Sequence, residues 1–121
     1  MDLTGKWRYE ENYTYGRTKG ELLLKQTGDR LSGKIIFTDE VNGESAYMIQ
    51  ETLTGYVDGD RVKLDAEDYD VIYAEQEVAY ELDSWFGTIV DEDMISGLSK
   101  DLQGVVGHFS FVRMKDNKNR I

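Results

Sequence analysis

Apolar residues recur at every second position of this chain, in short runs broken by Gly- and Asp-rich turns, and that pattern excludes most folds at once. In Leu31-Ser32-Gly33-Lys34-Ile35-Ile36-Phe37 the odd positions are apolar or small; in Arg61-Val62-Lys63-Leu64-Asp65-Ala66 the even ones are. A period of two places successive side chains on opposite faces of a strand, so each run has one dry face and one wet face. Antiparallel strands covered on one side read this way, whereas parallel strands buried on both faces read as continuous apolar runs. No stretch keeps apolar residues at helical spacing for more than about two turns. The chain also has no proline. The fold class these patterns predict is all-β.

Three segments align on a turn aspartate. Gln26-Thr27-Gly28-Asp29-Arg30-Leu31-Ser32-Gly33, Val57-Asp58-Gly59-Asp60-Arg61-Val62-Lys63-Leu64 and Val90-Asp91-Glu92-Asp93-Met94-Ile95-Ser96-Gly97 superpose at Asp29, Asp60 and Asp93, spaced by 31 and 33 residues. Each sets a tight acidic turn before an apolar-polar alternation, as repeated hairpins do. Counting outward from these turns predicts eight strands, at 3–13, 19–27, 30–38, 46–57, 61–67, 77–90, 94–99 and 105–114. The tight connections at 28–29, 58–60 and 91–93 fall at one end of an up-and-down antiparallel barrel. The longer ones at 14–18, 39–45, 68–76 and 100–104 fall at the other, where binding function usually resides.

At 121 residues with 40% hydrophobic residues, the chain suits one domain spanning 1–121, with a core that needs no disulfide or metal. It has no cysteine, which removes disulfides, thiolate metal sites and cysteine nucleophiles together. No apolar run is long enough for a membrane span or an uncleaved secretory signal. A cytoplasmic protein and a mature secreted fragment would read alike. The net charge of −10 argues against nucleic acid and anionic membranes as partners, because both are bound through clustered Lys and Arg.

Gly5-Lys6-Trp7 opens the first strand, and Arg113 closes the last after Phe109 and Phe111. This resembles the lipocalin pattern of an N-terminal Gly-x-Trp and a C-terminal strand Arg, within the wider calycin plan of β-barrels. The resemblance implies that Trp7 seals the closed end with Arg113 packed across it through cation-π attraction. By parity both residues lie at the end with the tight turns, so two readings select the same closed end. The chain is shorter than a typical lipocalin, lacks cysteines, and has no C-terminal helix after Arg113. The opening Leu3-Thr4-Gly5-Lys6-Trp7 is also similar to avidin-type barrels, but that family's biotin contacts find no counterpart here. Fatty-acid-binding proteins insert a helical pair after the first strand, and Thr14-Tyr15-Gly16-Arg17-Thr18 leaves no room for one.

An eight-stranded barrel either fills with side chains or holds one small ligand. With Trp7 inward, Tyr9, Glu11 and Tyr13 follow, and the fourth strand adds Tyr47, Ile49, Glu51 and Leu53. Joined by Leu22, Leu24, Ile35, Phe37, Leu64, Trp85, Ile89 and Phe109, they give an apolar floor beneath an aromatic, acidic upper half. Tyr9, Glu11, Tyr13, Phe37, Tyr47, Glu51 and Trp85 are therefore the candidate cavity residues, suited to a small, partly apolar or cationic ligand. The alternative is a filled barrel acting as an interaction or structural module through its loops, with Tyr69, Ile72 and Tyr73 as the exposed patch.

No catalytic residue, cofactor or metal site emerges. Gly-x-Ser-x-Gly, phosphate-binding glycine loops and His-rich zinc spacing are all absent. Asp65-Ala66-Glu67-Asp68-Tyr69-Asp70 lacks the glycine and ligand spacing of a calcium loop and reads as a solvated acidic loop. His108, the one histidine, alternates with Phe109 and so faces outward. Asn12-Tyr13-Thr14 is a glycosylation acceptor only in a eukaryotic secreted protein. The leading reading is non-enzymatic ligand binding, ahead of the interaction module and, third, an enzyme using the barrel carboxylates.

Overall fold

Alternation on this scale needs a partner for every strand edge, and the chain meets that need by closing on itself. The structure, a computed structural model, describes residues 1–13, 16–41, 47–75 and 81–115. Eight strands form in order: β1 (Gly5–Tyr13), β2 (Gly16–Thr27), β3 (Arg30–Val41), β4 (Tyr47–Asp58), β5 (Arg61–Tyr73), β6 (Asp83–Asp91), β7 (Met94–Asp101) and β8 (Val106–Arg113). Each pairs antiparallel with the next, and β1 pairs with β8 through Trp7↔Arg113 to Asn12↔His108. The result is a closed up-and-down barrel with no helix among the described residues. Closure removes the unpaired edges that would otherwise invite aggregation.

Burial follows the period of two. Trp7 and Tyr9 of β1, Leu22 and Leu24 of β2, Ile35 and Phe37 of β3, and Phe109 and Phe111 of β8 are buried, while the residues between them on each strand face outward. His108, between Gly107 and Phe109, is exposed. Full burial of each large apolar side chain stabilises by roughly 1.5–3 kcal/mol relative to exposure.

The aligned aspartates of the three tight turns do equivalent work. The main-chain carbonyls of Asp29, Asp60 and Asp93 accept hydrogen bonds from the N–H groups of Val57 (2.9 Å), Ile89 (2.6 Å) and Arg113 (2.8 Å), each on the strand beyond the hairpin. The repeat thus laces one hairpin to the next around the closed end. Gly28 and Gly59 occupy the left-handed region at φ 64° and 60°, which glycine enters without steric cost. The third turn lacks glycine and instead uses the Asp91 carboxylate, whose Oδ1 accepts the Asp93 N–H at 2.8 Å.

Several boundaries differ from expectation. The first strand begins at Gly5, and Leu3 lies before it, fully buried across the closed end. β2 and β3 reach Gly16 and Val41, so both extend into what reads as connections. β6 begins at Asp83; of the expected start at 77, residues 77–80 lie outside the described residues. The largest correction concerns the acidic-loop reading of Asp65 to Asp70: the strand expected to end at residue 67 continues through it, because β5 runs to Tyr73.

Packing explains that correction. Ala66 and Tyr69 both pack against the core, although a spacing of three would put them on opposite faces of a regular strand. A register shift opposite Thr52/Leu53 absorbs the extra residue, as a β-bulge does. Glu67, Asp68 and Asp70 stay outside. Only Arg61 to Asp65 of β5 pair with β6, so the part of β5 nearer the mouth pairs with β4 alone among the described residues.

Candidate functional site

The closed end is built from the chain's two termini. Trp7 is fully buried, and its indole N–H donates to the Leu3 carbonyl at 3.0 Å. The Arg113 guanidinium lies 4.3 Å from the Trp7 ring centroid, a cation-π stack on a closed apolar base. Its nitrogens donate to the carbonyls of Glu92 (3.0 Å), Thr4 (3.2 Å) and Asp2 (3.0 Å), and Asp93 pairs with it at 3.6 Å. Gly5 beside it holds φ 143°, a backbone conformation that side-chain-bearing residues rarely adopt. Arg113 therefore stitches the segment preceding β1 to the β6–β7 turn.

Above this floor the interior turns polar. Tyr9 is buried among Phe37, Trp85 and Phe111, with ring centroids 5.9, 6.2 and 5.5 Å away. Its hydroxyl donates to Glu11 Oε1 at 2.6 Å and accepts the Trp85 indole N–H at 3.4 Å. The second oxygen of Glu11 accepts from the Ser99 hydroxyl at 2.7 Å. Gly107 makes room for that carboxylate, since a Cβ at this position would overlap Glu11 Oε2. Strands β1, β6, β7 and β8 thus converge on one carboxylate.

Burial dominates the ionisation of this group. It raises the Glu11 carboxyl above its ordinary value, the hydrogen bonds from Ser99 and Tyr9 oppose that rise, and the like charge of Asp39 adds to it. Tyr9 is pushed well above the usual phenol range, first by burial and then by the Glu11 charge. It is a hydrogen-bond donor at any physiological pH.

A second carboxylate sits closer to the loop-ringed mouth. Asp39 Oδ1 accepts from the hydroxyls of Tyr13 and Thr18, the latter at 3.1 Å, and Oδ2 accepts from Tyr47 at 2.8 Å. The register aligns the cluster: Glu11 opposes Thr18, Thr18 opposes Asp39, and Asp39 opposes Tyr47. Burial, and then the hydrogen bond to Asp39, push the Tyr13 phenol upward. Among the described residues, three hydroxyls and no ammonium or guanidinium clasp this carboxylate.

Glu51 is fully buried on β4, three strands round from β1, with Ile35 of β3 and Tyr69 of β5 as its cross-strand partners. Phe37 and Trp85 are buried in the apolar wall. All seven candidate cavity residues have side chains inside the barrel, but they divide between the Glu11 group, the Asp39 group and the β4 wall. Thr18, Asp39, Ser99 and Gly107 were not among them. Their signal was parity: Thr18 is in phase with Leu22, Asp39 with Phe37, Ser99 with Ile95 and Gly107 with Phe109. Thr18 and Asp39 read as loop, and Ser99 and Gly107 carry no apolar bulk.

Among the described residues, no three His, Cys, Asp or Glu side chains gather as metal ligands. Of the loop patch, Ile72 and Tyr73 are 53% and 56% exposed, while Tyr69 turns inward.

No protein-family model and no curated protein matches this chain. Solved structures do. A redesigned β-barrel, mFAP1, bound to DFHBI is 10% identical with a TM-score of 0.64, covering 92% of this chain and 94% of that one. The related mFAP0, also bound to DFHBI, is 10% identical with a TM-score of 0.62, covering 92% and 98%. A fluorescence-activating β-barrel designed de novo is 13% identical with a TM-score of 0.58, covering 93% and 94%. At these identities the likeness is one of fold.

Proposed function

We propose that this protein is a non-enzymatic carrier or sensor, lipocalin-like in use, that binds a small, partly apolar cation in the upper half of its barrel. One observation carries the reading. Above the floor the barrel encloses the carboxylates of Glu11, Asp39 and Glu51. Among the described residues no lysine or arginine faces that space, because all are exposed except Lys63, which lies outside over Phe86, and Arg113 at the closed end. Carboxylates held by neutral hydroxyls inside low-dielectric walls keep a negative potential that a cation relieves.

The aromatic surroundings supply the rest of the recognition. Tyr9, Phe37 and Trp85 offer apolar faces beside the Glu11 carboxylate, the combination of apolar lining and few orienting polar groups that small-molecule sites use. Their ring faces also attract cations. Barrels of similar fold have been solved bound to DFHBI, which supports ligand binding by a fold of this kind.

Native mass spectrometry of the protein purified from its own source tests the reading, followed by titration with aromatic primary amines and their neutral isosteres. Amines are expected to bind at least about tenfold more tightly than the isosteres, a difference of about 1.4 kcal/mol. Glu11→Gln should erase that preference. Equal binding of amine and isostere, or no binding of either, would refute the proposal.

A further inference from the structure

Charge is segregated around the outside of the barrel in a way the total of −10 conceals. On the outward faces of β1, β2 and β3, Lys6 pairs with Glu21 at 3.7 Å, Arg8 with Glu10 at 3.9 Å and Arg17 with Glu40 at 3.2 Å. Lys19, Lys25, Arg30 and Lys34 share this face, are exposed, and form no ion pair among the described residues. Seven cations against three carboxylates leave four positive charges in excess on this face, so the rest of the chain carries −14.

The same face exposes aliphatic surface at its centre. Leu23 is 47% and Ile36 38% exposed. The register sets Leu23 between Lys6 and Lys34, and Ile36 next to Glu21. Leu23 and Ile36 are therefore diagonal neighbours, close enough to form one apolar spot. An apolar centre whose charged rim is positive in net is how protein interfaces combine affinity with steering.

We infer that the outer face of β2 and β3, flanked by Lys6, docks an acidic polypeptide segment bearing aliphatic side chains. Contact is through side chains, because β2 and β3 are paired on both edges and offer no free backbone for strand addition. Lys25 lies six positions after Lys19, about 20 Å of strand, which an extended segment of similar length spans. Nucleic acid fits poorly: no aromatic side chain faces outward on β1, β2 or β3 to stack on bases, and the exposed Tyr56 lies beyond Arg30 at the edge of the patch. A long polyanion or an anionic membrane would also run past the patch onto the acidic remainder, whereas a short segment stays within it.

Fluorescence anisotropy with a labelled peptide of about ten residues, leucine and isoleucine at its centre and glutamate on either side, tests the proposal at low salt. Saturable binding is expected, weakened about tenfold by Lys25→Glu combined with Lys34→Glu, weakened less by Leu23→Ser, and reduced in about 0.2 M salt. All three positions are exposed, and circular dichroism checks that the variants fold. Failure to bind at about 1 mM peptide, or equal affinity for the charge-reversed variant, overturns it. Tighter binding of an oligothymidylate or of phosphatidylserine vesicles overturns it too. So does sedimentation showing that wild type dimerises through this face and the variant does not.

Discussion

At the closed end one cation, Arg113, directs its donors to three main-chain carbonyls and lies over Trp7. Toward the mouth two carboxylates, Glu11 and Asp39, accept hydrogen bonds from the hydroxyls of Tyr9, Ser99, Tyr13, Thr18 and Tyr47. Both ends bring charge into the fold, but they satisfy it differently. The guanidinium is matched by carbonyl dipoles and by Asp93, so the closed end is electrically complete and serves stability. The carboxylates receive hydrogen bonds but no countercharge from the described residues, and the proposed ligand would draw on that residual potential.

If the closed end is the structural anchor, the largest expected loss comes from Trp7→Ala, about 3–5 kcal/mol in urea unfolding. A loss under about 1 kcal/mol would erase the contrast between the ends. Arg113→Met keeps the apolar stem and removes the carbonyl contacts and the stack; about 2 kcal/mol is expected by the same measurement.

Gly107→Ala probes the mouth side. The added Cβ meets the Glu11 carboxylate, and about 1–2 kcal/mol should be lost. In a double-mutant cycle with Glu11→Ala the loss should shrink, because the obstructing group is gone. Additive effects would show that Gly107 does not serve Glu11.

Glu11→Gln should have the smallest effect on stability at neutral pH, under about 1 kcal/mol, yet a distinctive dependence on pH. Burial raises the folded-state value of this carboxyl, so the folded chain binds its proton more tightly than the unfolded chain does. Its contribution to stability is full below the ordinary carboxylate range and is lost as pH rises through the elevated folded value. Urea midpoints measured from pH 4 to 8 should therefore decline more in wild type than in the glutamine variant. Parallel profiles would mean that Glu11 is not desolvated.

Particular residues show why the barrel was legible and the site only partly so. Leu31 to Phe37 and Arg61 to Leu64 declare their faces because bulky apolar side chains alternate with polar ones. Asp65 to Asp70 hid how far the fifth strand runs, since carboxylates lower β-propensity and a bulge breaks the alternation. Glu11, Tyr13 and Tyr47 were found by parity alone. Asp39, the hub that Tyr13 and Tyr47 serve, looked like the first residue of a loop.

The sequence by itself determined the number of strands, the end at which the chain is laced shut and the sign of the interior, because each depends on local alternation or on turn chemistry. Tertiary structure decided which hydroxyl meets which carboxylate, that Ser99 and Gly107 accommodate Glu11, and that seven cations gather on one outer face. Those outcomes depend on register between strands far apart in the chain. Register is set by the whole closed sheet and not by any one segment of it.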